Sequence, residues 1–95
     1  MKYIHFVWDE VKDRANQKKH HVSFDEARTV FFDENARLTN DPEHSSSEDR
    51  FIIMGISRGL RLLVVCHCYR EDEETIRIIS ARKATKLESS QYRRL

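Results

Sequence analysis

Apolar residues recur at helical spacing in the part of the chain that follows residue 20. The positions that share one helical face are Phe24, Ala27, Val30 and Phe31. A stripe of this kind is typical of a helix that packs on the core. Ser23 followed by Glu26 matches a capping box and marks the start of this helix. An earlier helix with a thin apolar face is predicted from Asp9, its N-cap, to about Lys19, after a short strand over Tyr3 to Trp8.

The second half of the chain is rich in β-branched residues. Three runs predict strands: Arg50 to Ser57, Leu60 to Tyr69 and Thr75 to Lys83. The turn at Arg58 and Gly59 and the acidic segment Glu71 to Glu74 separate them, which predicts two consecutive hairpins. A polar Pro/Ser stretch over residues 40–47 precedes the first run and predicts a mobile loop.

A short polar helix is predicted at the end of the chain. It begins at about Lys86, with Thr85 as N-cap and Glu88 as capping-box partner, and ends near Arg94. A chain of 95 residues buries one core, so residues 1–95 form a single domain. The predicted fold is α+β, with two N-terminal helices packed on an antiparallel β-sheet meander and a short C-terminal helix.

Alternation along the predicted strands leaves both faces of the sheet partly apolar. On the last strand, one face would carry Arg77, Ile79, Ala81 and Lys83, and the other Ile76, Ile78, Ser80 and Arg82. Helices on one face would not complete such a core. The terminal helix or a binding partner is therefore expected to cover the second face.

Charge is distributed unevenly along the chain. The net charge is +1, but residues 51–95 carry 9 basic and 5 acidic side chains, whereas residues 1–50 carry 8 and 11. From Thr75 to the end of the sequence the basic residues are Arg77, Arg82, Lys83, Lys86, Arg93 and Arg94. Such a cluster suits RNA phosphates, with a solvated basic face as the alternative. Tyr69 and Tyr92 could stack on unpaired bases, or simply pack.

Several residues are candidates for chemistry. His67 lies within an apolar strand and is either a proton-transfer group or a core histidine. Glu48 and Arg50 stand where the loop meets a strand, as site residues or as a surface pair. Cys66 and Cys68 flank His67, but neighbouring side chains on a strand point to opposite faces and no further ligand motif follows, so no metal or cofactor is expected.

The apolar runs are too short to cross a bilayer, and the N-terminus lacks the apolar stretch of a signal peptide. Cys66 and Cys68 are an awkward disulfide pair at this spacing, so two reduced thiols are expected. A cytoplasmic protein without membrane contact is therefore predicted.

With these residues in place, the sequence resembles the BrnT family of type II toxin–antitoxin toxins over nearly its whole length. The matching stretches are Trp8, Asp9, Lys12, Asn16, Lys19 and His20; Val22 to Phe24 with Glu26 and Ala27; His44, Ser45, Glu48 and Arg50; Leu62 to Val65 with His67; and Arg77 to Thr85 with Glu88 and Tyr92. The chain departs from the family at His21 and Ser47, where glycine is usual.

The resemblance implies a RelE-like ribonuclease fold and metal-independent RNA cleavage. A base would activate the ribose 2′-hydroxyl, cations would stabilise the phosphorane-like charge, and an acid would protonate the leaving oxygen. Arg77, Arg82 and Lys83 would hold the phosphate, and His67 or Glu48 would be the base. The remaining predicted RNA contacts are Arg50, Lys86 and Tyr92, the last of which would stack or donate a proton.

The resemblance further implies a cognate BrnA-like antitoxin that covers the active face in a hetero-oligomer. The complex would repress its own operon, with operator DNA contacted only through the antitoxin. A non-catalytic RNA- or partner-binding module, such as a co-repressor subunit, is the alternative function.

Overall fold

The computed structural model describes residues 4–41, 49–71 and 74–93. In chain order the elements are β1 (His5–Val7), α1 (Glu10–His20), α2 (Phe24–Arg28), a 3-10 helix (Thr29–Phe32), β2 (Arg37–Asn40), β3 (Phe51–Ile56), β4 (Leu62–Tyr69), β5 (Thr75–Lys83) and α3 (Lys86–Tyr92). The α+β class is confirmed. Most of the predicted loop lies outside the described residues.

The five strands form one mixed sheet in the order β1-β5-β4-β3-β2. The pairs β2–β3, β3–β4 and β4–β5 are antiparallel, whereas β1 pairs with β5 in parallel. The sheet is therefore mixed, and the predicted antiparallel meander did not include this parallel edge strand. The first strand joins the last one, and hairpin signals between neighbouring runs carry no information about such a distant pairing.

The helices begin at polar caps. The Asp9 carboxylate accepts hydrogen bonds from the backbone N–H groups of Val11 and Lys12, at 2.7 and 3.2 Å. Ser23 caps α2 through the N–H of Glu26, but the Glu26 side chain binds elsewhere, so the predicted capping box is only half formed. The box predicted at Thr85 is complete in α3.

One face of the sheet, called the core face, packs against the helices. Its buried cluster consists of Val22, Phe24, Ala27, Val30, Ile53, Leu63, Val65, Ile78 and Ala81. Phe31 packs against this cluster half-buried, and Trp8 meets Phe24 edge to face, with ring centroids 6.2 Å apart. The predicted apolar stripe of the second helix is thus confirmed as core, although its last turn is a 3-10 helix.

A bulge in β5 changes which side chains share a face. His67 pairs with Ile78 and Cys66 with Ser80, so Ile79 has no partner on β4. The extra residue shifts the alternation by one position beyond this point. Arg77 pairs with Cys68 on one side of the bulge, and on the other side Arg82 pairs with Val64.

The residues that point away from the core are called the far face. On β3, β4 and β5 they are Ile52, Met54, Ile56, Leu62, Val64, Cys66, Cys68, Arg77, Ser80 and Arg82. Because directly paired residues lie on the same side of a sheet, Arg77 and Arg82 share this face. The prediction that they lie on opposite faces is wrong, and the bulge is the reason.

Helix α3 covers one end of the far face through polar contacts. Its Glu88 binds Arg82, and its Tyr92 binds Asp33 in the turn before β2. The one large apolar side chain of α3, Leu87, is 70% exposed, and no residue of the helix is fully buried. The terminal helix therefore covers the far face only in part.

A buried amide joins α1 to β5. Asn16 is 7% exposed, and its Nδ2 donates to the carbonyl oxygens of Val22, at 2.8 Å, and Ala81, at 2.9 Å. Its Oδ1 accepts from the N–H of Ala81 at 3.1 Å. The pairing of β1 with β5 ends at Arg77. At Ala81, further along β5, the Asn16 side chain makes the two hydrogen bonds that a neighbouring strand would otherwise make.

We expect Asn16→Ala to lower the free energy of unfolding by about 3 kcal/mol, because it leaves buried backbone groups of Ala81 without partners. Urea denaturation of the purified protein measures the change. The matched control is Gln17→Ala, which removes only an exposed bond to Asp13 and should stay within about 0.5 kcal/mol of the wild type. Equal losses in the two variants would contradict the structural role of Asn16.

Candidate functional site

Two arginines stand on either side of Cys68 at one end of the far face. Arg77 pairs directly with Cys68. Arg50 directly precedes Phe51, the first residue of β3, which pairs with His67, and continuing this register by one residue brings Arg50 opposite Cys68. Two strand spacings separate the backbones of the arginines, or about 10 Å. The register thus places two cationic side chains on one side of the sheet, at the distance of one intervening strand.

Asp41 and Cys66 lie beside this pair. Asp41 is 7% exposed, and the Cys66 thiol donates to its Oδ2 at 3.9 Å. Burial and the nearby Asp41 charge raise the pKa of the Cys66 thiol, with Arg50 opposing them. The thiol is therefore protonated at neutral pH and is a poor nucleophile. Nothing in the sequence marked Asp41 as part of the site.

Arg82 is bound to α3. Its Nη1 and Nη2 donate to the two carboxylate oxygens of Glu88 at 2.7 and 2.9 Å, a bidentate pair. The Arg82 hydrogen bonds lower the pKa of Glu88 to about 2, and the same contact raises the pKa of Arg82. Lys83 is exposed and pairs with Leu63, so it lies on the core-face side. The structure thus separates the three predicted phosphate-holding residues.

Tyr92 connects α3 to the opposite edge of the sheet. Its hydroxyl donates to Asp33 Oδ2 at 2.5 Å, and the same oxygen accepts from the Ile56 N–H at 2.7 Å. The bond to Asp33 raises the pKa of Tyr92 to about 12. Although burial alone would raise it, the hydrogen bonds from Tyr92 and Ile56 lower the pKa of Asp33. In this arrangement Tyr92 is a poor proton donor to a substrate.

His67 lies on the core face, away from the arginines. It is 0% exposed, its Nδ1 lies 3.3 Å from the carbonyl oxygen of Val65, and its Nε2 has no hydrogen-bond partner within the described parts of the chain. The ring meets Phe31 edge to face at 4.7 Å. Burial lowers the pKa of His67 to about 4. The structure therefore favours the core histidine over the predicted base, because the imidazole is fully buried on the face opposite to Arg77.

The other predicted site residues fall in different places. Glu48 lies outside the described residues. Lys86 is exposed on α3. Among the described residues, no group of three or more His, Cys, Asp or Glu side chains is arranged to hold a metal ion. In the same ranges, no helix is both long enough and apolar enough to cross a membrane.

The buried imidazole predicts a pH dependence of stability. As the pH falls below about 6.5, the unfolded chain binds a proton at His67 before the folded protein does, so stability declines until about pH 4. We expect His67→Leu to remove this contribution, which amounts to about 3 kcal/mol across that range. The measurement is urea denaturation of both proteins at several pH values. Parallel stability curves between pH 4 and 6.5 would contradict the buried neutral histidine.

Comparison with known proteins identifies the family. Residues 8–88 match the family model described as the ribonuclease toxin BrnT of type II toxin–antitoxin systems. Among solved structures, the chain is similar to the Brucella abortus ribonuclease toxin BrnT, solved at 1.1 Å resolution, with a TM-score of 0.66 and 24% identity over 87% of this chain and 99% of that one. No curated protein matches. The chain belongs to the BrnT family of ribonuclease toxins of type II toxin–antitoxin systems.

Proposed function

We propose that this chain cleaves RNA on the far face without a metal cofactor, with Arg77 and Arg50 as the residues that bind the reacting phosphate. The observation that carries the proposal is the β5 bulge, which puts Arg77 on the side of the sheet where Arg50 lies. Two guanidinium groups can contact the phosphate from two sides and stabilise the charge that develops during in-line attack by the 2′-hydroxyl. Charge stabilisation of this kind does not require a metal ion.

The positions of the other predicted site residues in the structure change the roles that we propose for them. Arg82 is assigned to holding α3, because both terminal nitrogens bind Glu88, although its charge still contributes to the field of the far face. Of the two predicted bases, Glu48 is kept, since it precedes Arg50 by two residues and His67 is buried. Lys86 would contact RNA away from the reacting phosphate, whereas Lys83 points to the core-face side and is given no phosphate contact in this proposal. A RelE-like mode of cleavage is part of the same proposal.

A type II toxin has an antitoxin partner. We propose that a BrnA-like antitoxin forms a hetero-oligomer with this chain by covering the far face, and that the complex represses its operon through DNA contacts made by the antitoxin. Ile52, Ile56 and Leu62 support this proposal because they are apolar, lie on the far face and are only partly buried. A partner on this surface would bury them and exclude RNA from the arginines at the same time.

One observation favours the second candidate function, a non-catalytic RNA- or partner-binding subunit. Of the predicted proton-transfer groups that the structure describes, His67 is buried and the Tyr92 hydroxyl is bound to Asp33. A chain with the arginines but no available base would bind RNA without cutting it. Purified protein that shifts RNA in a gel but leaves it intact at high protein excess would establish this alternative.

We expect Arg77→Gln to lower the rate of RNA cleavage at least ~100-fold, because removing one charge-stabilising donor costs that much in comparable sites. The cleavage rate of Arg77→Lys should lie between those of the wild type and Arg77→Gln, since lysine keeps the charge but lacks the planar guanidinium group. Cleavage of a labelled RNA measures the rate, and growth arrest on expression of the toxin gives a second readout.

The matched control is Arg58→Gln. Arg58 is 69% exposed in the β3–β4 turn and pairs only loosely with Asp25, at 3.5 Å. This variant should cleave RNA and arrest growth as the wild type does. Thermal unfolding verifies that each variant is folded. If folded Arg77→Gln cleaves RNA at the wild-type rate, the phosphate site is not at Arg77.

A further inference from the structure

Arg77 on β5 and the basic residues of α3 do not form one surface. The backbone N–H of Ala84 donates to the carbonyl oxygen of Leu62 at 3.0 Å, so α3 begins beside the first residue of β4. Arg77 pairs with Cys68, six residues further along the same strand. At about 3.3 Å per residue, this is a separation of about 20 Å. Cationic residues on α3 are therefore remote from the proposed cleavage site.

Helix α3 has two distinct sides. The side that faces the sheet carries Glu88 and Tyr92, which bind Arg82 and Asp33. With about 100° of rotation per residue, the side chains at positions 86, 89, 90 and 93 lie together on another side. This basic face of α3 consists of Lys86, Ser89, Ser90 and Arg93.

The basic face of α3 is concave as well as positively charged. Its four residues and Ala84 line a shallow groove with a volume of about 400 Å³. The two cations and two hydroxyls are hydrogen-bond donors, and none of the described residues that line the groove is acidic. The only acidic residue of the helix is Glu88, which is paired with Arg82. Contacts at both ends of the helix hold the groove in a fixed orientation relative to the sheet.

We propose that the basic face of α3 is a second phosphate-binding site, which holds the RNA strand several nucleotides from the bond that is cut. Lysine, arginine and serine side chains are typical contacts of the nucleic-acid backbone, and such contacts position a strand without reading its bases. The groove thus increases affinity for RNA and sets the direction in which the strand crosses the far face. This inference rests on the proposed function, because it supposes that RNA is the substrate of the far face.

The test is the double variant Lys86→Ala with Arg93→Ala. Binding is measured with a fluorescent single-stranded 2′-O-methyl RNA, which lacks the attacking hydroxyl and stays intact. With two phosphate contacts removed, the slope of log affinity against log salt should become shallower by about 1.4. In cleavage of unmodified RNA, the KM should rise while kcat stays unchanged, because the groove does not touch the reacting phosphate.

The matched control is Arg14→Ala with Lys18→Ala, which removes the same charge from exposed positions of α1. Equal slopes of log affinity against log salt for the two double variants would overturn the proposal. The change would then reflect only the loss of overall positive charge. It would also be overturned if RNA binding were unchanged and the antitoxin alone bound less tightly. If the wild type binds RNA with the expected slope but never cleaves it, the cleavage proposal fails and the second phosphate site stands.

Discussion

The hydrogen bonds between Asn16 and Ala81 are the interaction on which the far face depends. A single amide side chain satisfies both backbone groups of Ala81 on a part of β5 that β1 does not reach. Ala81 follows the bulge by two positions, so the amide anchors the strand where its alternation has just changed. Because unsatisfied backbone groups are costly inside a protein, this contact favours the bulged pairing over a regular one. The helix that supplies Asn16 thereby influences a surface on the opposite side of the sheet.

The bulge in turn directs apolar side chains of β5 to the core face and arginines to the far face. With the extra residue at Ile79, the strand directs Ile78 and Ala81 into the core, and Arg77 and Arg82 to the far face. Without it, one of the two arginines would point at the helices, where an unpaired charge is strongly disfavoured. The same local irregularity therefore completes the core and collects positive charge on the side that RNA is proposed to occupy.

Pairing decides which charged residues remain available to a ligand. Glu26 resembles a capping residue in the sequence, but its carboxylate accepts from Ser57 at 2.6 Å and binds Arg61, tying α2 to the β3–β4 turn. Glu88 neutralises Arg82 in a similar way. A sequence-level charge count includes all of these groups equally. The tertiary structure divides them into groups that hold elements together and groups, such as those on the basic face of α3, that face solvent.

The sequence by itself determined the elements, since strand runs, the Asp9 and Thr85 caps and the apolar stripe from Phe24 are local signals and all appear in the structure. It also placed Arg50 and Arg77 among the candidates. Only the tertiary structure decided that β1 pairs with β5, that Arg77 and Arg82 share a face, and that His67 is buried. The physical reason is that parallel pairing, a bulge and burial depend on partners distant in sequence, and no local pattern of polar and apolar residues encodes such partners.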